Sequence, residues 1–327
     1  MAVSVCIPAF KRYDVLQVAI ESVFANATRP IEIVVSDDAH DPQLPALLAD
    51  IVRPDGVTIV YAPNEVGRGQ AANILNAYRT ARFERVVLMH DDDFFLDGAI
   101  DAMVRAWDAR ADRVDAVFGR RRIVDEHGRF LPEPTAQDCR RYHRDKPGFV
   151  PSNLWSALVQ QFPPNGMMLR RSLALAVGVP SETEVGRIPI DTHFAINYAL
   201  AASRPFLVID ADISAYRLSQ NSILRTRRAL PLDRHLSYSQ LEKIEPQSEL
   251  EREALDRRKA ATAAGAILSF IADGQVDRGL ELFRIHWPRM RGTLRLKAKV
   301  LFVVLGARLG IAWPRWLLAQ RRWWWQT

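Results

Sequence analysis

The sequence predicts an α/β fold: a mostly parallel sheet with helices on both faces, followed by a C-terminal helical extension. Three observations predict it. Strand-like and helix-like segments alternate from the first residues of the 327-residue chain, and a β-α-β-α-β-α-β order calls for crossover helices on both faces of parallel strands. The run Val86-Val87-Leu88-Met89 is continuously apolar, as a fully buried strand is, and passes directly into His90-Asp91-Asp92-Asp93. Beyond roughly Leu230 the composition becomes helical, most clearly over the Ala-rich stretch from Ala254 to Ala272.

The elements follow in order. Val3-Ser4-Val5-Cys6-Ile7 reads as a strand ending at Pro8, and Leu16, Ala19, Ile20, Val23 and Phe24 then recur at helical spacing behind Asp14, a candidate N-cap. Ile31 to Val35 is the second strand, Leu44 to Val52 a helix, and Val57 to Tyr61 the third strand. Ala71, Ala72, Ile74, Leu75 and Tyr78 mark a helix after Gly67 and Gly69. The fourth strand carries the acidic triplet, and Ile100, Met103, Val104 and Trp107 form the next helical stripe. Ala116 to Val124, the turn Glu126-His127-Gly128 and Arg129 to Leu131 read as a hairpin. Phe162-Pro163-Pro164-Asn165-Gly166 is a break, and Pro205 to Ile209 reads as the last strand. The expected domains are residues 1–228 and 229–327.

A hydrophobic content of 48% with 25% charged residues is that of a globular protein and excludes wholesale disorder. Cys6 and Cys139 are the only cysteines. Cys6 falls within a strand, a poor place for a bridge, so free thiols and a reducing compartment are expected. Met1-Ala2 leads straight into a strand, and no signal peptide is expected. The net charge of +6 conceals an asymmetry: no acid follows Glu281, whereas ten Lys and Arg do. The first 281 residues therefore carry four more acids than bases, which argues against a nucleic-acid face on the main domain.

Three adjacent anions repel unless something cationic sits among them. At the carboxyl end of a strand, where open α/β sheets place their ligands, they suit a hard divalent ion shared with a phosphate-bearing substrate. A solvated turn capping the helix near Ala99 is the plainer alternative. Other strand ends bring further candidates to the same edge: Pro8, Ala9 and Phe10 after the first, Asp37 and Asp38 after the second, and Asn64 to Gly69, with Arg68, after the third. Acids at two strand ends, a glycine-containing loop and an arginine together suit a nucleotide diphosphate with its metal.

These segments resemble the inverting family 2 glycosyltransferases of GT-A fold. Val3 to Pro8 is similar to the opening strand of that family, Ile33 to Asp38 to its nucleobase-binding strand, Asn64-Glu65-Val66-Gly67 with Ala72-Asn73 to its N-x-x-G…A-x-N segment, and the triplet stands where its D-x-D motif belongs. The resemblance covers about residues 3 to 222. It implies that Asp37 or Asp38 meets the nucleobase, that Asp91 faces the ribose, that Asp92, with Asp93 in the alternative register, binds Mn²⁺ or Mg²⁺, and that His90 is an outer partner. Gly166-Met167-Met168-Leu169-Arg170-Arg171 and Val177-Gly178 match the lead-in to the "ED" pair of the family. That leaves Asp191 as the general base, with Ile190 in place of the glutamate; an N-cap is its alternative role. A family Y-R-x-H-x-x-S segment is here Tyr216-Arg217-Leu218-Ser219-Gln220-Asn221-Ser222, so Ser219 replaces a histidine that would stand near the metal.

The implied activity is sugar transfer from a nucleotide-diphosphate sugar to a hydroxyl of a glycan or lipid-linked acceptor, in a cytoplasmic enzyme at the inner membrane face. A sugar-phosphate nucleotidyltransferase is one rival, although Pro8-Ala9-Phe10 is a poor triphosphate cradle. A silent nucleotide-sugar-binding subunit is another, suggested by Ile190 and Ser219. The tail mixes cations with Trp287, Trp313, Trp316, Trp323, Trp324 and Trp325. The apolar run Val300 to Ala307 falls far short of the ~20 residues a spanning helix needs. This fits a segment lying on an anionic membrane surface; packing on the body is the alternative.

Overall fold

The computed structural model describes residues 2–26, 28–64, 69–110, 113–186, 190–218, 233–290 and 293–313. The strands and helices come in the order β1 (Val3–Ala9), α1 (Tyr13–Phe24), β2 (Ile31–Asp37), α2 (Gln43–Asp50), β3 (Val57–Pro63), α3 (Gln70–Thr80), β4 (Arg85–Leu88), β5 (Phe94–Phe95), α4 (Ala99–Asp108) and β6 (Ala116–Val124). After these come α5 (Pro132–Arg141), β7 (Gly148–Phe149), α6 (Asn153–Leu158), β8 (Met167–Arg170), α7 (Arg171–Val177), α8 (Glu182–Val185), α9 (Ile190–Ala201) and β9 (Phe206–Arg217). The last helices are α10 (Arg234–Glu242), α11 (Glu249–Ala272), α12 (Val276–His286) and α13 (Leu294–Arg308). The chain forms two compact units, Met1–Val179 with Phe194–Ser219 and Pro180–His193 with Gln220–Thr327.

The first unit is the predicted α/β sheet. Its strand order is β3-β2-β1-β4-β8-β6-β9-β5, with β7 paired to β9. The first four strands run parallel, with Val5 opposite Ile33 and Val87. Strand β8 enters antiparallel between β4 and β6, and β6 is parallel to β9. The carboxyl ends of β1, β2, β3, β4, β6 and β9 therefore lie on one edge, together with the amino end of β8. Apolar residues bury both faces of the central strands: Val3, Val5, Ile7, Ile33, Val35 and Val87 on one face pack with Leu16, Ile20, Met103 and Trp107 from the covering helices, and Cys6, Val34, Val86 and Leu88 on the other are 2% exposed or less. Glu32, buried in β2, accepts from Ser4 Oγ at 2.6 Å and from the Arg82 backbone N–H at 2.9 Å, so its charge is not left bare.

Two local expectations are corrected and one is narrowed. Asp14 is not the cap of α1: the cap position is Arg12, without a side-chain bond, and Asp14 sits in the first turn, where its charge meets the helix dipole. The hairpin after β6 is present but short: Val124 bridges Phe130, the Leu131 N–H donates to the Ile123 carbonyl at 2.9 Å and the Asp125 N–H to the Arg129 carbonyl at 3.0 Å, on the edge of β6 that β8 leaves open beyond Phe118. Asp125 closes the turn, accepting from the backbone N–H groups of His127 and Arg129, each at 2.9 Å. The last strand continues to Arg217, well past Ile209. Its middle, Asp210-Ala211-Asp212, is charged, and Asp212 pairs with Arg120 at 2.7 Å across the ladder, while Ile213 and Ala215 beyond it are buried. At the register shift in that ladder stands Gly119, where a Cβ would come within 2.4 Å of the Ala211 carbonyl oxygen.

The second unit is helical. Ser248 caps α11 through the Glu251 N–H, and Ile267, Phe270 and Ile271 of that helix share a core with Tyr238, Leu282, Val300, Val303 and Val304. His193, 2% exposed, has its Nε2 2.8 Å from the Ser237 hydroxyl. Among the described residues no helix is long and apolar enough to cross a membrane.

Burial, followed by the charge of Arg258, holds the His193 imidazole down at about 4. It is neutral when folded at pH 7, whereas in the unfolded chain it takes up a proton near its ordinary value of about 6.5. Its contribution is complete above that value and is lost as pH falls toward the folded value, reaching about 2 kcal/mol near pH 5. His193→Gln should flatten the loss of stability between pH 7 and pH 5, measured by urea unfolding followed by helix circular dichroism. An unchanged slope would assign the acid sensitivity to other groups.

Candidate functional site

Because β1 and β4 are neighbours in the sheet, the segment following β1 lies against the acidic triplet. The Phe10 N–H donates to Asp91 Oδ2 at 3.1 Å, and Arg12 Nε reaches the same oxygen at 3.3 Å. The guanidinium of Arg12 spreads across the triplet, forming ion pairs with Asp91 and Asp92. Burial pushes the Asp91 carboxyl up, with Arg12 pulling the other way. For Arg12, burial opposes the charge, but the two aspartates prevail and its proton is held more tightly than usual. Sequence reasoning missed Arg12. The signal was the requirement for a cation beside three acids, combined with a basic residue just past the adjacent strand.

Asp93 turns the other way, into the protein. Its Oδ1 accepts from the Arg217 backbone N–H at 2.8 Å and its Oδ2 from the Asn165 amide. Arg217 also donates through Nε to the Asp92 carbonyl at 3.0 Å and through Nη1 to the Glu126 carbonyl at 2.8 Å, tying the ends of β4, β6 and β9 together. Burial, then the neighbouring Asp92, pushes the Asp93 carboxyl up to about 7. His90 Nδ1 lies 3.9 Å from Asp93 Oδ2, and His90, Asp92 and Asp93 each offer a ligand atom within 4.8 Å of the others. Among the described residues, His90 Nε2 and Asn165 Oδ1 are buried without a hydrogen-bond partner. Two carboxylates, an imidazole and unpartnered acceptors beside a buried acid that resists ionising fit a divalent cation. The antiparallel entry of β8 places Asn165 there. A Cβ on the next residue, Gly166, with φ +66°, would come within 2.8 Å of Ser214 Oγ.

The expected nucleobase pair divides its roles. Asp37, fully buried, accepts from Tyr61 Oη at 3.0 Å and from the N–H groups of Ala39 at 2.8 Å and Asp41 at 3.2 Å, so it braces the loop after β2. Asp38 is half-buried at the sheet edge, accepting from Asn64 Nδ2 and the Gly69 N–H, each at 2.8 Å. Asn73 is also a brace: it accepts from Ser36 Oγ at 2.6 Å and donates to the Ala9 carbonyl at 3.1 Å. Pro8 and Ala9 lie within β1, opposite Ser36 and Asp37, while Phe10 is 51% exposed. Asp191 is half-buried in the first turn of α9, within the helical unit, and Ile190 before it is 1% exposed. Arg68 and Ser219, with Glu65 to Gly67 and Gln220 to Ser222, lie outside the described residues.

Arg12→Gln should raise the affinity of the nucleotide-free protein for Mn²⁺ several-fold, as read by electron paramagnetic resonance titration, since it removes a cation that competes for Asp92. A lower affinity would mean that Arg12 organises the carboxylates more than it neutralises them.

Comparison with known proteins agrees with this fold. The glycosyl transferase family 2 model matches residues 4–176, more than half of the chain. A Campylobacter jejuni GalNAc(5)-diNAcBac-PP-undecaprenol beta-1,3-glucosyltransferase is 28% identical over 102 residues, 31% of this chain. The match spans 33% of the length of that relative. Among solved structures, S. aureus TarS residues 1–349 in complex with UDP-GlcNAc superposes with a TM-score of 0.64 at 15% identity, over 95% of this chain and 92% of that 1–349 chain. A mannosyltransferase from Pyrobaculum calidifontis, in complex with GDP-Man and Mn²⁺, gives a TM-score of 0.55 at 15% identity, over 94% of this chain and 80% of that one.

Proposed function

The chain belongs to glycosyl transferase family 2, and from that premise we propose that it transfers a sugar, with inversion, from a nucleotide-diphosphate sugar to a hydroxyl of a glycan or lipid-linked acceptor. The observation that carries this reading is the convergence of Asp38, Asp91, Asp92 and Asp93 on one sheet edge, with a cation-fitting cluster at its centre. The work is that of a cytoplasmic enzyme at the inner membrane face, which suits a lipid-linked acceptor.

In this reading Asp38, rather than the fully engaged Asp37, meets the nucleobase. Asp91, held by the Phe10 N–H, faces the ribose. His90, Asp92 and Asp93 would hold Mn²⁺ or Mg²⁺, which would offset the negative charge of the leaving diphosphate. Asp191 takes the proton of the acceptor hydroxyl as its oxygen bonds to the anomeric carbon. The bond from that carbon to the diphosphate oxygen breaks on the opposite face, and the electron pair leaves with the nucleotide. Asn165 and the Arg217 backbone hold Asp93 in place and do not touch the sugar.

A nucleoside diphosphate should raise the melting temperature strongly with Mn²⁺ and weakly with excess chelator. Asp92→Asn should abolish the metal-dependent part. Equal stabilisation with and without chelator would sink the metal assignment.

Asp191→Asn keeps the shape of the side chain and weak capping ability but removes the base. Turnover of the donor should fall by about 10² or more while donor affinity stays within a few-fold. Transfer at the wild-type rate would leave Asp191 as a helix cap only.

A further inference from the structure

The last described helix, α13, has two apolar faces. Val300, Val303, Val304 and Ala307 are buried in the core of the helical unit. On the opposite side Leu301 is 37% exposed, Phe302 51% and Leu305 48%, with Leu294 at 84% in the first turn and Leu309 at 81% and Ile311 at 49% just past the C-terminal end. The spacing of Leu301, Leu305 and Leu309 sets them in one stripe along the helix. Trp313 folds back beside it: its Nε1 donates to the Val303 carbonyl at 3.0 Å, its ring lies 5.2 Å from that of Phe302, and Gly306 gives it room. Six of the fourteen large apolar residues exposed among the described residues fall between Leu294 and Ile311, so this is a patch and not scattered exposure. Such a patch marks an interaction surface.

Charge identifies the partner. Arg295 and Arg308 are exposed on the same helix, Arg284 and Arg289 just before it, and no acid follows Glu281. Lys299 does not belong to this set, being 1% exposed within the core side of the helix. An apolar stripe collared only by cations fits a surface that is apolar beneath and anionic above. With 15 residues and one face committed to the core, α13 is placed to lie in such a surface rather than cross it. We propose that this face of α13 docks on an anionic lipid bilayer in the plane of its headgroups, with the leucines and Phe302 at the acyl boundary. The docking surface stands apart from the donor reading, since no nucleotide or metal residue named above lies in α13.

The test is co-sedimentation of the full chain with vesicles of phosphatidylcholine and phosphatidylglycerol, against vesicles of phosphatidylcholine alone. The anionic vesicles should capture the protein and release part of it at high salt. Replacing Leu301, Leu305 and Leu309 together with Gln should lower partitioning by about tenfold or more. Arg295→Gln with Arg308→Gln should lower it less and weaken the preference for phosphatidylglycerol. Thermal stabilisation by nucleoside diphosphate with Mn²⁺ should be unchanged in both variants, which checks their folding and separates this surface from the donor site. Capture equal to wild type by the leucine variant, or no capture of the wild type, overturns the proposal. So does a wild-type dimer in light scattering that the leucine substitutions dissociate without any vesicle binding, because a second copy would then cover the face.

Discussion

Three consecutive carboxylates at one strand end need cations and N–H donors around them, and the carboxyl edge of the sheet is organised by that requirement. At an effective dielectric of about 20, two like charges about 4 Å apart repel by about 4 kcal/mol. The structure answers with a different solution for each acid. Asp91 receives the Phe10 N–H and the fork of Arg12, Asp92 shares that fork, and Asp93 is buried against the Arg217 N–H and the Asn165 amide. For Asp93 these donors do not fully offset burial beside Asp92, and its carboxyl is pushed up to about 7. A site that stabilises its anions incompletely keeps affinity for a further cation.

The topology follows from the same demand. Parallel pairing of β1 with β2 and β4 brings Phe10, Asp38 and the triplet to one edge, and the antiparallel entry of β8 adds Asn165 from the opposite chain direction. Arg217, at the end of the long last strand, joins the carbonyls of Asp92 and Glu126. The ladder of β6 with β9 carries the chain to Arg217, for beyond the Arg120 and Asp212 pair it continues from Arg121 opposite Ser214 to Val124 opposite Arg217.

In the helical unit, α13 contributes Val300, Val303 and Val304 to the core and presents Leu301, Leu305 and Leu309 outward. Packing and surface association had stood as competing accounts of this tail. A helix that is apolar on both sides accommodates both, because 3.6 residues per turn separates the two sets.

The sequence by itself determined the alternating elements, the buried central strands and the acidic strand end, because each is written in local periodicity and in adjacent residues. Strand β4 needs only the apolar run Val86 to Met89 to declare itself, and α11 only its alanine-rich composition. Asp91, Asp92 and Asp93 were legible as a cluster because they are neighbours in the chain. Tertiary structure alone decided which donors meet them, for the Arg12 guanidinium and the Arg217 backbone N–H lie 79 and 124 residues from their aspartate partners. It also decided that Asp37 braces a loop while Asp38 stays at the edge, a distinction that depends on Tyr61 and Asn64 from the next strand. The long last strand was not legible for a related reason: β9 extends because β6 offers it a partner as far as Val124, and no window of local sequence records a strand's partner.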